Sequence, residues 1–344
     1  MEEASLARAA EILIGDSLAL RAGDEVLITA DPATDANVTT ALVRAAERLG
    51  AKAAVMMLAR LPYQGALADP YLPASLEGAA GRAQIWIDLT FPYIAGAKLH
   101  DRVLAANGSR YLLLGDVDRE AFVRLYAAAD FDRYFAAQAA FDQVFQAAIG
   151  KSCRITDGRG SDVRFTLAAS TLKKPRRAET PGMYLVPGTC SIAPDIATVQ
   201  GTIVIGAVFH EYYETLPDPI RIEVDGKIRR VTGGGGSGVI FARALERAAG
   251  TEMGSIIHFS HGLHPAARFT GKSFIEDIRV VGNDAVGFGL PWWEPGGGEN
   301  HPDGVMMAHS VWIEDREIIA HGRIIWPEAL ARTAAELTSR AAAG

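Results

Sequence analysis

The chain has 344 residues, of which 49% are hydrophobic and 22% charged, and it carries a formal charge of -7. That length exceeds one ordinary hydrophobic core and predicts two domains, while the composition excludes extended disorder and offers no apolar run near the roughly 20 residues of a membrane span. The acidic balance argues against a nucleic-acid partner, whose phosphates require a basic face. Met1–Ser5 has neither the basic start nor the apolar core of a signal peptide. The two cysteines, Cys153 and Cys190, show no C-x-x-C spacing, which removes thiolate zinc sites and disulfide scaffolds and suits a reducing compartment. The expectation is a cytoplasmic protein with no membrane association.

The first 130 residues alternate apolar runs with helical stretches. Strands are expected at Glu25–Thr29, Ala53–Met57, Ile85–Leu89 and Tyr111–Leu114, with helices over 35–49, over 97–106 and from about 118. Strands without internal alternation, separated by helices, predict a parallel sheet covered on both faces. Thr34 or Asp35 can cap the helix over 35–49, and Gly50 can close it. The turn after the first strand, Ala30–Asp35, lacks the G-x-G-x-x-G cradle of a dinucleotide site.

A connecting helix with an aromatic stripe is read over 133–149, and the pattern changes at Gly150. From Lys151 onward short alternating strands dominate, with Asp157-Gly158 and Asp225-Gly226 as hairpin turns, a helix over 237–249 capped by Ser237, and another over 327–341 with Pro327 in its first turn. The expected division is an α/β domain over 1–150 and an α+β domain, mainly antiparallel, over 151–344. The basic cluster Lys173–Arg177 reads as a solvated loop, or as a contact for an anionic substrate or a neighbouring subunit. Gly233–Ser237 lacks the lysine of a phosphate loop.

Chemistry concentrates near the C-terminus, since six of the eight histidines lie between 258 and 321. His301-Pro302-Asp303 places two strong metal ligands two residues apart; in an extended segment such residues share a face and can address one ion. The third ligand is sought in Ser255–Pro265, the other histidine-dense stretch, where a β-branched run carries His258 into a turn. The alternative is that these are hydrogen-bonded structural histidines. Before His301 runs the loop Pro291–Asn300, whose paired tryptophans and glycines suggest either a mobile aromatic wall over a pocket or an exposed loop pinned by one buried ring.

The run Ile256–Arg268, then Asn300–Asp303, then Val311–Ile318 resembles the 2,5-dihydroxypyridine 5,6-dioxygenases, iron(II) ring-cleaving enzymes built on the fold of the aminopeptidase T and S metallopeptidases. The resemblance implies His258, His301 and Asp303 as ligands of one Fe(II), with zinc or manganese as alternatives. It also implies a dioxygenase acting with dioxygen on a small hydroxylated aromatic, and a homodimer or higher homo-oligomer. Thr189 stands where the peptidases place a glutamate ligand and His258 where they place a second one, so a two-metal hydrolytic site is not expected. The region 88–95 lacks the acid/base histidine of the dioxygenases. Tyr93 is a replacement candidate there; His210, beside Glu211, and His264 are others. Trp292 and Trp293 are candidates to stack on the ring, with Arg268 and Glu299 as further substrate contacts. The rival readings are a metal-dependent hydrolase and a catalytically silent binding protein on the same fold.

Overall fold

The structure, a computed structural model, describes residues 2–127, 130–171, 177–249, 252–290 and 301–339. In chain order its elements begin with α1 (Glu2–Glu11), β1 (Glu25–Ala30), α2 (Ala36–Arg48), β2 (Lys52–Met57), α3 (Ala74–Ala80), β3 (Ile85–Asp88), α4 (Lys98–Asn107), β4 (Arg110–Leu113) and α5 (Arg119–Tyr126). After them come α6 (Phe131–Gln146), β5 (Ser152–Thr156), β6 (Asp162–Thr166), β7 (Gly182–Leu185), β8 (Thr189–Ile192), β9 (Gln200–Phe209), β10 (Tyr213–Asp225) and β11 (Lys227–Gly233). The chain continues through α7 (Gly235–Ala249), β12 (Ser255–Gly262), α8 (Phe274–Asp277), β13 (Asn283–Gly289), β14 (Asp303–Met307), β15 (Ser310–Ile313), β16 (Arg316–Ala320), β17 (Arg323–Ile324) and α9 (Glu328–Ser339). Among the described residues no helix is long and apolar enough to cross a membrane.

Contacts divide the chain into two compact units, residues 1–129 with 173–187, and residues 130–172 with 188–344. In the first, the strands lie in the order β2-β1-β3-β4-β7, all parallel. The central strands β3 and β4 are buried at every position, as expected of runs covered on both faces. β2 is at the sheet edge and largely exposed. Asp35 caps α2 by accepting from Asn37 N, and Gly50 ends the helix with φ +80°, a conformation that glycine adopts without steric cost. The expected strands and helices of this region are present. β7 joins the sheet from beyond residue 150, where the sequence shows no parallel-strand signal.

The second unit holds a large antiparallel sheet in the order β17-β16-β15-β5-β6-β9-β14-β13-β12-β8, with β10 and β11 paired onto β9. β5 and β6 alternate buried and less buried positions, the pattern of strands with one face on a core. The predicted connecting helix is α6, and it belongs by contact to this unit; its Phe141 and Phe145 join the core of the antiparallel sheet. The Asp225-Gly226 turn joins β10 to β11 as predicted. The Asp157-Gly158 turn is longer than two residues, because the Asp157 carboxylate accepts from both Arg159 N and Ser161 N and closes a five-residue loop. α7 starts at Gly235, so Ser237 is inside its first turn and is not its cap. Lys173, Lys174 and Arg176 of the basic cluster lie outside the described residues.

Candidate metal centre

Three neighbouring strands bring the predicted residues into one row. In β12 an extra residue, Ile257, sits between the pairs Ile256–Phe288 and His258–Gly287, and Gly287 pairs on its other side with Asp303 of β14. Such a bulge re-aims the side chain that follows it. Phe288 packs edge-on against Phe241 of α7; strand alternation therefore turns Gly287, and with it His258 and Asp303, to the opposite face. A Cβ at Gly287 would come within 2.2 Å of His258 Nε2. The bare glycine backbone is what leaves room for the imidazole.

His301 lies two residues before Asp303 and turns its ring to the same point. Its Nε2 is 3.1 Å from His258 Nε2, and Asp303 Oδ1 is 3.5 Å from each of the two nitrogens. The three side chains are only 9, 14 and 6% exposed for His258, His301 and Asp303. Burial pushes the Asp303 carboxyl up, but the two imidazoles facing it outweigh burial and leave it at about 2. Burial holds His258 below the ordinary histidine value. An ionised carboxylate and a neutral imidazole are the forms that bind metals.

The triangle can be tested against an ion directly. With sides of 3.1, 3.5 and 3.5 Å its circumradius is about 2.0 Å, so a point about 2.1 Å from all three donors, the length of an ordinary metal–imidazole bond, lies just off its plane. Among the described residues this is the one group of three or more His, Cys, Asp or Glu side chains whose ligand atoms converge in this way. His258 also has an outer partner of the kind that fixes a ligand's tautomer. The Ser260 hydroxyl is 3.4 Å from its Nδ1.

A family model described as NicX, 2,5-dihydroxypyridine 5,6-dioxygenase, matches residues 16–326. The chain belongs to this family. Membership supports a dioxygenase as its reaction class. Among solved structures it is similar to a 2,5-dihydroxypyridine dioxygenase from Pseudomonas putida KT2440, with 20% identity and a TM-score of 0.71 over 96% of this chain and 99% of that one. It is similar also to wild-type AmpT, an aminopeptidase T, from Thermus thermophilus, with 15% identity and a TM-score of 0.66 over 94% of this chain and 100% of that one. These two likenesses establish the expected aminopeptidase T-like fold. No curated protein matches the chain significantly.

The other predicted residues of this NicX-family chain are placed as follows. Tyr93 belongs to the first unit and packs edge-on against Phe91 in the segment after β3. His210 is fully buried, with Nδ1 2.7 Å from Glu211 Oε2, and Glu211 in turn pairs with Arg247 of α7; the residue is thus tied to the helix-covered side of the sheet. His264 is buried and its Nδ1 accepts from Ala266 N at 3.2 Å, the arrangement of a residue that shapes its own turn. Arg268 is exposed, on a loop held by its N–H donating to Glu276 Oε1 at 3.0 Å. Thr189, in β8, pairs with Gly262. Trp292, Trp293 and Glu299 lie outside the described residues.

Sequence reasoning missed a second polar cluster, formed by His261, Asp284 and His309, all fully buried. One sign was available. Asp284 stands at the head of the otherwise apolar run Ala285–Phe288, and a buried carboxyl in a strand requires partners.

Proposed function

We propose that the protein is a mononuclear non-haem iron(II) dioxygenase of the extradiol type, cleaving a small hydroxylated heteroaromatic ring of the dihydroxypyridine class. The observation that carries this reading is the converging triangle of two imidazoles and one carboxylate on the row His258–Gly287–Asp303. Two histidines and a carboxylate on one face form the ligand set of non-haem iron oxygenases, which leaves coordination positions open. Iron(II) held by His258, His301 and Asp303 would supply open coordination positions for a ring hydroxyl and dioxygen. Family membership supports the ring class. A cytoplasmic homodimer or higher homo-oligomer belongs to the same proposal.

The chain's own residues have three tasks. Asp303 brings one negative charge, and His258 and His301 bring nitrogen lone pairs, so a divalent ion held there would keep net positive charge and would attract an ionised substrate hydroxyl. Burial of His258 and Asp303 keeps water away from one side of the cluster and strengthens each charge interaction there. Arg268, on its anchored loop, is proposed to meet an anionic oxygen of the ring. The reading is tested by anaerobic loading with Fe(II), metal analysis, and oxygen uptake with 2,5-dihydroxypyridine. One iron per chain and stoichiometric oxygen consumption are expected. Hydrolysis of an amide by the zinc or manganese form, with no oxygen uptake by the iron form, would replace the dioxygenase with a hydrolase.

A further inference from the structure

Ser260 shares a strand face with His258, whereas Phe259 and His261 point the other way. His261 is fully buried and stacks on Phe141 of α6, with ring centroids 5.9 Å apart. Directly opposite it in the ladder is Asp284. His309, just beyond β14, joins them: its Nε2 is 3.1 Å from His261 Nδ1 and 3.5 Å from Asp284 Oδ2, and its Nδ1 is 3.0 Å from Gly282 O. A carbonyl only accepts, so His309 donates from Nδ1 and its Nε2 is bare in the neutral ring. That nitrogen accepts a hydrogen bond from His261 Nδ1, with Asp284 Oδ2 in longer contact, and the three side chains form one joint within the core.

The joint reaches the proposed metal site through one main-chain group. Asp284 Oδ1 accepts the Ser260 N–H at 2.8 Å, and Ser260 sets its hydroxyl 3.4 Å from His258 Nδ1. Asp284 therefore reaches His258 through Ser260, whose main-chain N–H it holds. We propose that Asp284, itself set by His309, is a positioning residue that fixes the orientation in which His258 presents Nε2 to a metal ion. The inference rests on the reading of His258 as a ligand. Burial pushes the Asp284 carboxyl up to about 8 and His309 down to about 4, so near neutral pH the carboxyl is protonated. Asparagine is then a close substitute, with an oxygen for Ser260 N–H and an N–H for His309 Nε2.

The test compares Asp284→Ala with Asp284→Asn in the full chain, using Co(II) as the probe in competition with a chelator. Loss of an outer partner of a ligand typically costs about 10–100-fold in metal affinity, and that loss is expected for Asp284→Ala, with Asp284→Asn within about threefold of the parent. In the metal-free protein the His258 ring resonance, assigned by its disappearance in His258→Gln, should shift in Asp284→Ala and hold in Asp284→Asn. A folded Asp284→Ala with parental Co(II) affinity and an unmoved His258 resonance would overturn the proposal. If the parent itself took up no Co(II), the ligand reading would fail, and the resonance comparison would still decide the positioning role. Should Asp284→Ala not fold, His309→Asn retains a donor for Gly282 and loses Nε2. It should weaken Co(II) by at least about threefold, and parental affinity would overturn the proposal equally.

Discussion

Asp88 at the end of β3 and Asp303 at the start of β14 are both buried carboxylates, and they differ in what faces them. Around Asp88 the donors are neutral and close: the Thr29 hydroxyl at 2.9 Å, the Thr90 hydroxyl at 2.7 Å and N–H at 3.1 Å, the Tyr111 hydroxyl at 2.5 Å and Ile94 N–H at 3.0 Å. Burial outweighs all of them and raises its pKa. Asp303 instead faces two imidazole nitrogens at 3.5 Å, longer than a good hydrogen bond, and its carboxyl falls to about 2. A carboxylate saturated by short neutral bonds has no lone pair left for an ion and ties its loop to the sheet. One that shares a gap of ionic size with two nitrogens keeps its oxygen directed at that gap, as the proposed ligand role requires.

The comparison breaks most sharply if the two sites are deleted in turn. His301→Ala should remove stoichiometric iron and all ring cleavage, exceeding the roughly 10–100-fold loss typical of an outer partner, while the metal-free chain keeps its melting temperature; metal analysis with calorimetry checks both. Full metal occupancy in that variant would refute the ligand assignment. Asp88→Ala should do the reverse. It strands several buried donors at about 1–3 kcal/mol each, so denaturant unfolding should show a loss of about 3 kcal/mol or more, and any folded fraction should bind iron with parental affinity.

Gly287→Ala sharpens the local half of the contrast, since a methyl group there would come within 2.2 Å of His258 Nε2 and clash with the ring. Metal affinity should fall severely, with overpacking costing about 1–3 kcal/mol of stability. Unchanged iron binding in a folded Gly287→Ala would show that the imidazole is not confined to this cradle.

pH separates the two carboxylates by sign in the metal-free protein. The Asp303 pKa is lowered from 3.8 to about 2, so its contribution, about 2 kcal/mol by linkage, is present above pH 3.8 and is lost as pH falls toward 2. The stability gap between the parent and Asp303→Asn should close over that range. The Asp88 pKa is raised, so its contribution is present below pH 3.8 and is lost as pH rises toward the folded value. Asp88→Asn should therefore gain on the parent with rising pH. Identical slopes in urea titrations of the two variants would erase the distinction. The smallest effect is expected for exposed Arg268→Ala, with stability within about 0.5 kcal/mol, iron binding unchanged, and KM for an anionic substrate raised; an unaltered KM would remove the residue from the substrate site.

Local pattern by itself determined the layers of this protein: continuous apolar runs gave the buried parallel strands β1, β3 and β4, and alternating runs gave the one-sided strands β5 and β6. It also determined that His301 and Asp303 share a face, because their spacing matches the two-residue period of extended chain. Only tertiary structure decided that His258, more than forty residues earlier, stands in the same row. That depends on the bulge at Ile257 and on Gly287 serving as cross-strand partner to both His258 and Asp303. Register between distant strands follows from the packing of whole faces, and a shift of one residue would turn His258 into the core. The same cause hid the joint of His261, Asp284 and His309, whose members are single polar residues on three separate segments. It likewise attached α6 and β7 to units that the change of pattern at Gly150 does not delimit, since sequence pattern reports an element's own period and packing decides which sheet it completes.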